Sequence, residues 1–213
     1  MKTNDCQDEN KFKRLAVMGG TFDPVHYGHL VAAEAVRVEY NIDRVIFIPA
    51  GNPPHKRRQN ITGAEHRYRM TRLAVSSNPF FEVSRLEIDR KGMSYTVDTI
   101  KELRHLYGSG SDIYFITGAD ALLDILTWHK IDELLGLCRF VAVTRPGYRN
   151  SDLEGQIEKL KDSLHSDICM TEIPSLAISS TDIRNRVREG RPIKYLLPEA
   201  VEEYIFETGI YSE

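Results

Sequence analysis

Short apolar runs alternate along this chain with longer segments in which apolar residues recur every three or four positions. The short runs are rich in Val, Ile, Phe and Tyr, and several end in Gly, Pro or Asp, which is typical of buried β-strands. The longer segments have the periodicity of helices that cover a core with one face. The predicted strands are residues 15–20, 44–51, 80–88, 112–120, 139–147 and 167–173. The predicted helices are residues 28–40, 64–77, 96–107, 130–136, 152–164, 181–189 and 198–207.

The helix over 96–107 shows its apolar stripe clearly, because Val97, Ile100, Leu103 and Leu106 recur at three-residue steps. Alternating strands and helices predict an α/β fold of the Rossmann-like, doubly wound kind, a mostly parallel sheet with helices on both faces. In such sheets a ligand binds beyond the carboxyl ends of the strands, at the topological switch point. Residues that directly follow the strands are therefore the first candidates for chemistry.

We expect a single domain over residues 14–213, because the chain length suits one well-buried α/β domain and is short for two. Residues 1–13 are polar and precede the first predicted strand, so a mobile tail is predicted there. This first segment lacks the apolar centre of a secretory signal. No apolar run approaches the ~20 residues that span a bilayer.

Composition and charge limit the classes of binding partner that we expect. The net charge of -3 gives no basic excess of the kind that general nucleic-acid binders show. The three cysteines, Cys6, Cys138 and Cys169, are odd in number and form no C-x-x-C pair, which indicates reduced thiols in a cytoplasmic protein. We therefore expect a cytoplasmic protein with neither a nucleic acid nor a membrane as partner. The oligomeric state stays open, a homo-oligomer included.

The turn after the first strand, GGTFDPVHYGH (19–29), is the first candidate site. Its glycines let the backbone turn sharply and approach a ligand, and the helix that follows presents free N–H groups and a positive dipole end to phosphate. His26 and His29 are three residues apart, so they share one face and can donate hydrogen bonds to phosphate oxygens. Zinc ligation is the alternative, but the spacing is shorter than H-E-x-x-H and no third ligand lies nearby.

A second candidate, ISSTDIR (178–184), precedes the helix predicted near the C-terminus. Its Ser and Thr residues supply N-caps and hydroxyl donors, and Ser180, Thr181 and Arg184 are spaced to face one anion. The guanidinium would offer a planar fork to a polyphosphate. A capped surface helix with a solvated arginine is the alternative.

The two segments resemble the G-x-F-x-P-x-H-x-G-H and I-S-S-T-x-I-R elements of the nucleotidylyltransferase superfamily, in which they bind the ATP phosphates from opposite sides. The resemblance implies that His29 contacts the phosphates and stabilises the transition state, while His26 helps to hold them. It implies transfer of an adenylyl group from ATP, with Mg²⁺ bound on the ATP phosphates rather than by protein ligands.

Segments in the middle of the chain resemble bacterial nicotinate-mononucleotide adenylyltransferases. NPPHK (52–56) resembles their P-P-H-K, in which the lysine, here Lys56, reaches phosphate. SYT (94–96) resembles their S-Y-T, which implies that Thr96 binds the nicotinate carboxylate; a plain helix N-cap is the alternative. GAD (118–120) resembles a segment that lies beside the ribose and the adenylyl group.

Two further positions follow from the same resemblance. Trp128, the only tryptophan, would stack on the pyridine ring, although a single tryptophan is more often core filling. Arg145 would meet the acceptor phosphate, although Arg-Pro-Gly by itself is a turn. The acceptor-binding residues implied are Lys56, Tyr95, Thr96, Trp128, His129 and Arg145. The ATP-binding residues implied are Gly19, Gly20, Thr21, Phe22, His26, His29, Gly118, Asp120, Ser179, Ser180, Thr181 and Arg184. The catalytic residues implied are His26, His29, Lys56 and Arg184.

The resemblance implies an enzyme of NAD biosynthesis that converts ATP and nicotinic acid mononucleotide to nicotinic acid adenine dinucleotide and pyrophosphate. The acceptor phosphate is already anionic at neutral pH, so the protein needs no general base and must position two anions and neutralise charge. Three alternatives are a phosphopantetheine adenylyltransferase, a class I synthetase fragment, and a nucleotide-sensing module without turnover. Pyrophosphate release with each acceptor distinguishes them.

Overall fold

A parallel sheet of six strands in the order β3-β2-β1-β4-β5-β6 forms the centre of the described part of the computed structural model. The structure describes residues 13–53, 61–144, 155, 158–162, 167–174 and 176–212. The strands are β1 Arg14–Gly20, β2 Arg44–Pro49, β3 Phe81–Val83, β4 Asp112–Gly118, β5 Arg139–Thr144 and β6 Ile168–Glu172. Each of the six strands therefore overlaps a segment that the hydrophobic pattern predicts as a strand.

The helices that cover the sheet are short. They are α1 Tyr27–Glu39, α2 Ala64–Val75, α3 Leu86–Asp89, α4 Thr96–Tyr107, α5 Ala119–Leu123, α6 Ile131–Leu135, α7 Ser180–Arg188 and α8 Glu199–Thr208. A 3-10 turn over Ile125–Thr127 joins α5 to the loop before α6. Residues 158–162 are helical, whereas the rest of the helix predicted over 152–164 falls mostly outside the described residues, as does the predicted tail apart from Lys13. None of the helices in the described ranges is both long and apolar enough to span a membrane.

Side chains of β1 alternate between two hydrophobic cores, one on each face of the sheet. Ala16 and Met18 belong to the core that α1, α2, α7 and α8 cover, and Leu15 and Val17 belong to the core that α4, α5 and α6 cover. A central strand buried on both sides requires helices on both faces. The doubly wound Rossmann-like fold is therefore confirmed.

The strand predicted over 80–88 is wrong beyond its first residues. β3 pairs with β2 only over Phe81–Val83, and the chain then turns into α3. The hydroxyl of Ser84 accepts a hydrogen bond from the backbone N–H of Leu86, which starts the turn. The turn brings the carbonyl of Glu87 so close to Gly51 that a Cβ on Gly51 would overlap it. The abundance of strand-favouring residues in 80–88 suggested a strand, and local side-chain bonding overrides that preference.

The direction in which successive strands are added to the sheet reverses between β1 and β4. β1 pairs with β2 on one side and with β4 on the other, so the connections leaving β1 and β4 run to opposite sides. A crevice forms at the carboxyl ends of these two strands, which is where α/β proteins bind ligands.

Candidate active site

A cavity of about 500 Å³ lies at the carboxyl ends of β1 and β4. This volume suits a nucleotide-sized ligand. The cavity is lined by residues that follow these strands, by the first turn of α1 and by the segment before α7. The lining includes Met18, Gly19, His26, Gly28, His29, Thr117, Gly118, Ala119, Ala121, Ser179 and Ser180. Of the residues predicted to bind ATP, the structure thus brings Gly19, His26, His29, Gly118, Ser179 and Ser180 together in the lining of one cavity.

The first turn of α1 supplies both histidines. His26 is the N-cap residue with extended backbone, and Gly28 follows without a side chain that would crowd the His26 ring, since a Cβ there would lie 3.0 Å from it. The two imidazole rings lie 3.8 Å apart between centroids. His26 is buried with 7% exposure, and His29 is partly buried.

His29 is neutral at neutral pH and its proton lies on Nε2. Burial of the ring and then the neighbouring His26 hold the pKa of His29 well below the usual histidine range. The backbone N–H of His26 donates to Nδ1 of His29 over 3.2 Å, so Nδ1 is the acceptor and Nε2 carries the hydrogen. The ring therefore has one N–H donor for a ligand oxygen.

The segment before α7 binds the loop that follows β1. The hydroxyl of Ser180 donates to the carbonyl of Pro24 at 2.9 Å, and Nη1 of Arg184 donates to the carbonyl of Asp23 at 2.6 Å. The other terminal nitrogen of Arg184 lies 3.3 Å from the Thr181 hydroxyl. The hydroxyl of Ser179 caps α7 by accepting from the backbone N–H of Asp182. The two segments predicted to bind phosphate are therefore bonded to each other, and neither Arg184 nor the exposed Thr181 belongs to the lining of the cavity.

Several residues predicted to bind the acceptor lie together at the start of α4. Tyr95 is its N-cap and Thr96 its first residue, and the Tyr95 ring stacks on His129 with centroids 4.2 Å apart. Trp128 packs edge-on against Phe115, at 5.8 Å between ring centroids. Phe115 in turn lies beside Gly19, since a Cβ on Gly19 would be 3.5 Å from its ring. Phe115 therefore contacts Trp128 and also lies beside Gly19 of the cavity lining.

The loop after β2 is bonded to the start of α4. The backbone N–H of Asn52 donates to the hydroxyl of Ser94 at 3.0 Å, and the backbone N–H of Ser94 donates to the carbonyl of Asn52 at 3.1 Å. Asn52, the first residue of NPPHK, is therefore hydrogen-bonded to Ser94, the first residue of SYT. Lys56 and Arg145 lie outside the described residues, and so does the side chain of Asp120.

Two buried charged residues near the site were not found from the sequence. Arg67 of α2 donates to the carbonyl of Thr21, and Glu87 of α3 accepts a hydrogen bond of 2.7 Å from the hydroxyl of Thr99. Burial raises the pKa of Glu87, and the bond from Thr99 opposes that shift. Helical spacing was the available signal for Arg67, because the residue shares the buried face of α2 with Met70 and Ala74.

The donors around the cavity suit anions rather than a bare metal ion. They comprise the imidazole N–H of His29, the hydroxyl of Ser179 and the N-terminus of α1, whereas the Ser180 hydroxyl already donates to the Pro24 carbonyl. Among the described residues, no group of three or more His, Cys, Asp or Glu side chains could hold a metal ion.

Comparison with known proteins gives consistent similarities. The family model for cytidylyltransferase-like proteins matches residues 17–186. The "Probable nicotinate-nucleotide adenylyltransferase" of Thermoanaerobacter sp. (strain X514) is 58% identical over 200 residues, which cover 94% of this chain and 95% of the relative. The protein of the same name from Moorella thermoacetica is 59% identical over 198 residues, covering 93% and 91%.

Solved structures support the fold. Plasmodium falciparum nicotinic acid mononucleotide adenylyltransferase complexed with NaAD has a TM-score of 0.75 and 20% identity, covering 93% of this chain and 97% of that one. The same Plasmodium enzyme complexed with APC has a TM-score of 0.73 and the same coverage. At this identity the likeness concerns the fold.

Proposed function

The chain belongs to the nicotinate-nucleotide adenylyltransferase family, and on that basis we propose that it transfers the adenylyl group of ATP to nicotinic acid mononucleotide. The products are nicotinic acid adenine dinucleotide and pyrophosphate, a step of NAD biosynthesis. The observation that carries the proposal is the cavity at the switch point, where the His29 N–H, the start of α1 and two serines converge.

The reaction exchanges one phosphorus–oxygen bond for another. A phosphate oxygen of nicotinic acid mononucleotide attacks the α-phosphorus of ATP, and the bond to the bridging oxygen breaks as pyrophosphate leaves with the electron pair. The attacking oxygen is already anionic, so no residue has to remove a proton. The protein contributes by holding two anions in line and by donating to the oxygens that gain charge.

On the ATP side, His29 donates through Nε2–H, and the N-terminus of α1 with His26 holds the phosphates. Ser179 and Ser180 face the same cavity, and Arg184 extends its guanidinium beside them. Gly19, Gly20 and the loop Thr21–Phe22 let the nucleotide approach the end of β1. We assign Gly118, the last residue of β4, and Asp120, in the helix that follows, to the ribose.

On the acceptor side, Thr96 and the backbone N–H groups at the start of α4 bind the nicotinate carboxylate, and Trp128 stacks on the pyridine ring. Tyr95 and His129 complete this aromatic wall, supported by their mutual stacking. Lys56 and Arg145 bind the acceptor phosphate. These assignments rest on family segments and on the clustering of Tyr95, Trp128 and His129.

Enzymes of this ATP-using family generally require a divalent metal ion, and we propose Mg²⁺. The ion enters as part of the ATP substrate, because the described residues around the cavity offer N–H and hydroxyl donors instead of a carboxylate cage. Bound on the substrate phosphates, it would supply positive charge that offsets the charge of the pyrophosphate group.

The test is product formation from defined acceptors. Purified protein with Mg-ATP and nicotinic acid mononucleotide should release pyrophosphate and form nicotinic acid adenine dinucleotide in equal amounts, measured by coupled assay and by chromatography. Parallel reactions use nicotinamide mononucleotide and 4′-phosphopantetheine. Preferred turnover of phosphopantetheine, or ATP binding without turnover of any acceptor, would replace the proposal by one of the alternatives.

A further inference from the structure

Arg67 is a buried arginine that bridges two loops behind the active site. Its side chain is 2% exposed, and its Nε donates to the carbonyl of Thr62 at 2.8 Å while Nη1 donates to the carbonyl of Thr21 at 2.8 Å. A buried guanidinium is stable only when its N–H groups are bonded, so its position fixes both carbonyls. Arg67 does not line the cavity described above.

Several polar groups of the loop between β1 and α1 accept hydrogen bonds from other parts of the chain. The carboxylate of Asp23 accepts from the hydroxyl of Tyr211 at 2.6 Å and from the backbone N–H of Thr62 at 3.2 Å. The carbonyls of Asp23 and Pro24 accept from the α7 segment, as described above. The carbonyl of Thr21, the residue that precedes Phe22, accepts from Arg67.

This external support is needed because the loop contains a strained residue. Phe22 has φ of 48°, in the left-handed region that is unfavourable for a residue other than glycine. Without bonds on both sides, Phe22 would relax to ordinary backbone angles and its ring would swing away. Carbonyl bonds at Thr21 and Asp23 hold both neighbours of Phe22 in place.

The ring of Phe22 contacts the candidate catalytic histidine. It packs edge-on against His29 with centroids 5.1 Å apart, and His26 stacks on the same imidazole at 3.8 Å. The direction of the His29 Nε2–H therefore depends on where the loop places Phe22.

We propose that Arg67 is a positioning residue for adenylyl transfer, which fixes the Thr21–Pro24 loop so that Phe22 holds the His29 ring with Nε2–H directed into the cavity. The inference rests on the proposed function for its effect on turnover. The planar fork of arginine reaches two carbonyls from separate loops at once, which the single ammonium of lysine cannot do.

The experiment compares Arg67→Lys and Arg67→Met with Arg72→Met. Arg72 lies on the same helix but is exposed, and its guanidinium meets only the ring of Tyr68, at 5.9 Å, in the contacts described. In folded Arg67→Lys, kcat should fall about 100-fold, the loss that a small misplacement of a catalytic group causes, with KM for both substrates changed little. Arg72→Met should keep the wild-type kcat.

A second measurement does not need turnover. Imidazole ¹⁵N NMR of the wild type should show His29 as the Nε2–H tautomer, and Arg67→Lys should mix the tautomers and shift the pKa of His29 upward. If Arg67→Met does not fold, Phe22→Leu tests the contact between Phe22 and His29, because it keeps an apolar side chain and removes the aromatic ring.

The outcomes separate the two ideas. A folded Arg67→Lys with wild-type kcat and unchanged His29 signals would overturn the positioning role, and so would a Phe22→Leu enzyme indistinguishable from wild type. A wild type that forms no dinucleotide would overturn the proposed function instead, and the NMR comparison would still decide whether Arg67 orients His29.

Discussion

The backbone N–H of His26 donates to Nδ1 of His29 across 3.2 Å, so the cap of α1 also sets the tautomer of the proposed catalytic donor. His29 thus accepts a hydrogen bond from the N–H of His26 at the start of the helix and also presents its own Nε2–H to a ligand. These two duties can be separated by mutation.

His29→Asn should separate capping from catalysis. The asparagine oxygen can still accept from the His26 N–H, so stability should change little, whereas no donor reaches the position of Nε2. We expect kcat to fall about 100-fold or more, the usual cost of removing a donor to transition-state charge. Steady-state kinetics and urea unfolding of the two proteins check this. Near-normal turnover in the variant would remove His29 from the mechanism.

Acid should destabilise the protein through the same ring. The pKa of His29 is lowered in the folded state, so the folded chain binds fewer protons than the unfolded chain, whose histidine has a pKa of about 6.5. The contribution of the neutral His29 ring to the free energy of unfolding is fully present above that pH. It decreases as pH falls towards the folded pKa, by up to about 1.4 kcal/mol per pH unit.

Urea unfolding at several pH values below 7 measures this loss. His29→Asn lacks the titrating group, so its free energy of unfolding should fall less steeply with acid than that of the wild type. The comparison cancels the effects of ionisable groups that do not contact the His29 ring. Parallel curves for the two proteins would mean that the His29 ring titrates normally in the fold.

Part of the site could be predicted from the sequence because its segments follow strands. Strand ends of a parallel sheet meet at one edge, which is why His29, Gly118 and Ser180 come together in one cavity. The periodicity failed at 84–88, where hydrogen bonds of a few residues set the backbone. It also could not pair Asp23 with Tyr211, because that bond depends on how two chain segments 188 residues apart are placed by the whole fold.

Tyr211→Phe should destabilise the loop after β1. The substitution keeps the ring and removes the hydroxyl that donates to the Asp23 carboxylate at 2.6 Å. A hydrogen bond to a charged group contributes about 1.5–3 kcal/mol, and partial exposure of Tyr211 places the expected loss at the lower end. Tyr195→Phe is the matched control, because Tyr195 is 81% exposed. Equal unfolding free energies for the two variants would contradict the bond's contribution.

Gly51→Ala should disrupt the contact between the loop after β2 and α3. The added Cβ would overlap the backbone carbonyl of Glu87, so one of the two segments has to move. Forcing atoms into such a packed contact costs about 1–3 kcal/mol. Because the same loop is bonded to Ser94 before α4, KM for nicotinic acid mononucleotide should rise more than KM for ATP.

Gly110→Ala is the control for this substitution, because nothing lies within 4 Å of a Cβ at Gly110. Thermal unfolding and the two KM values should be close to wild type for that variant. If Gly51→Ala also leaves thermal unfolding and both KM values unchanged, the loop tolerates a shift and does not support the acceptor site.

Acceptor choice is the remaining prediction, and it depends on the charge that distinguishes nicotinate from nicotinamide. The start of α4 at Thr96, with backbone N–H donors and a positive dipole end, should favour the carboxylate. A neutral amide leaves a polar group unpaired there, and such a mismatch discriminates strongly. The wild type should therefore strongly prefer nicotinic acid mononucleotide in kcat/KM.

Two substitutions assign the contributions to that preference. Thr96→Val removes one hydroxyl donor and should lower the ratio of kcat/KM between the acceptors. Trp128→Ala removes a ring that stacks on both pyridines equally, so it should weaken both acceptors and leave the ratio unchanged. Trp128 also packs on Phe115 and Phe140, so unfolding curves must show that the variant is folded at the assay temperature. Equal use of both acceptors by the wild type would refute a carboxylate site at α4. A ratio changed only by Trp128→Ala would move acceptor selection from Thr96 to the aromatic wall.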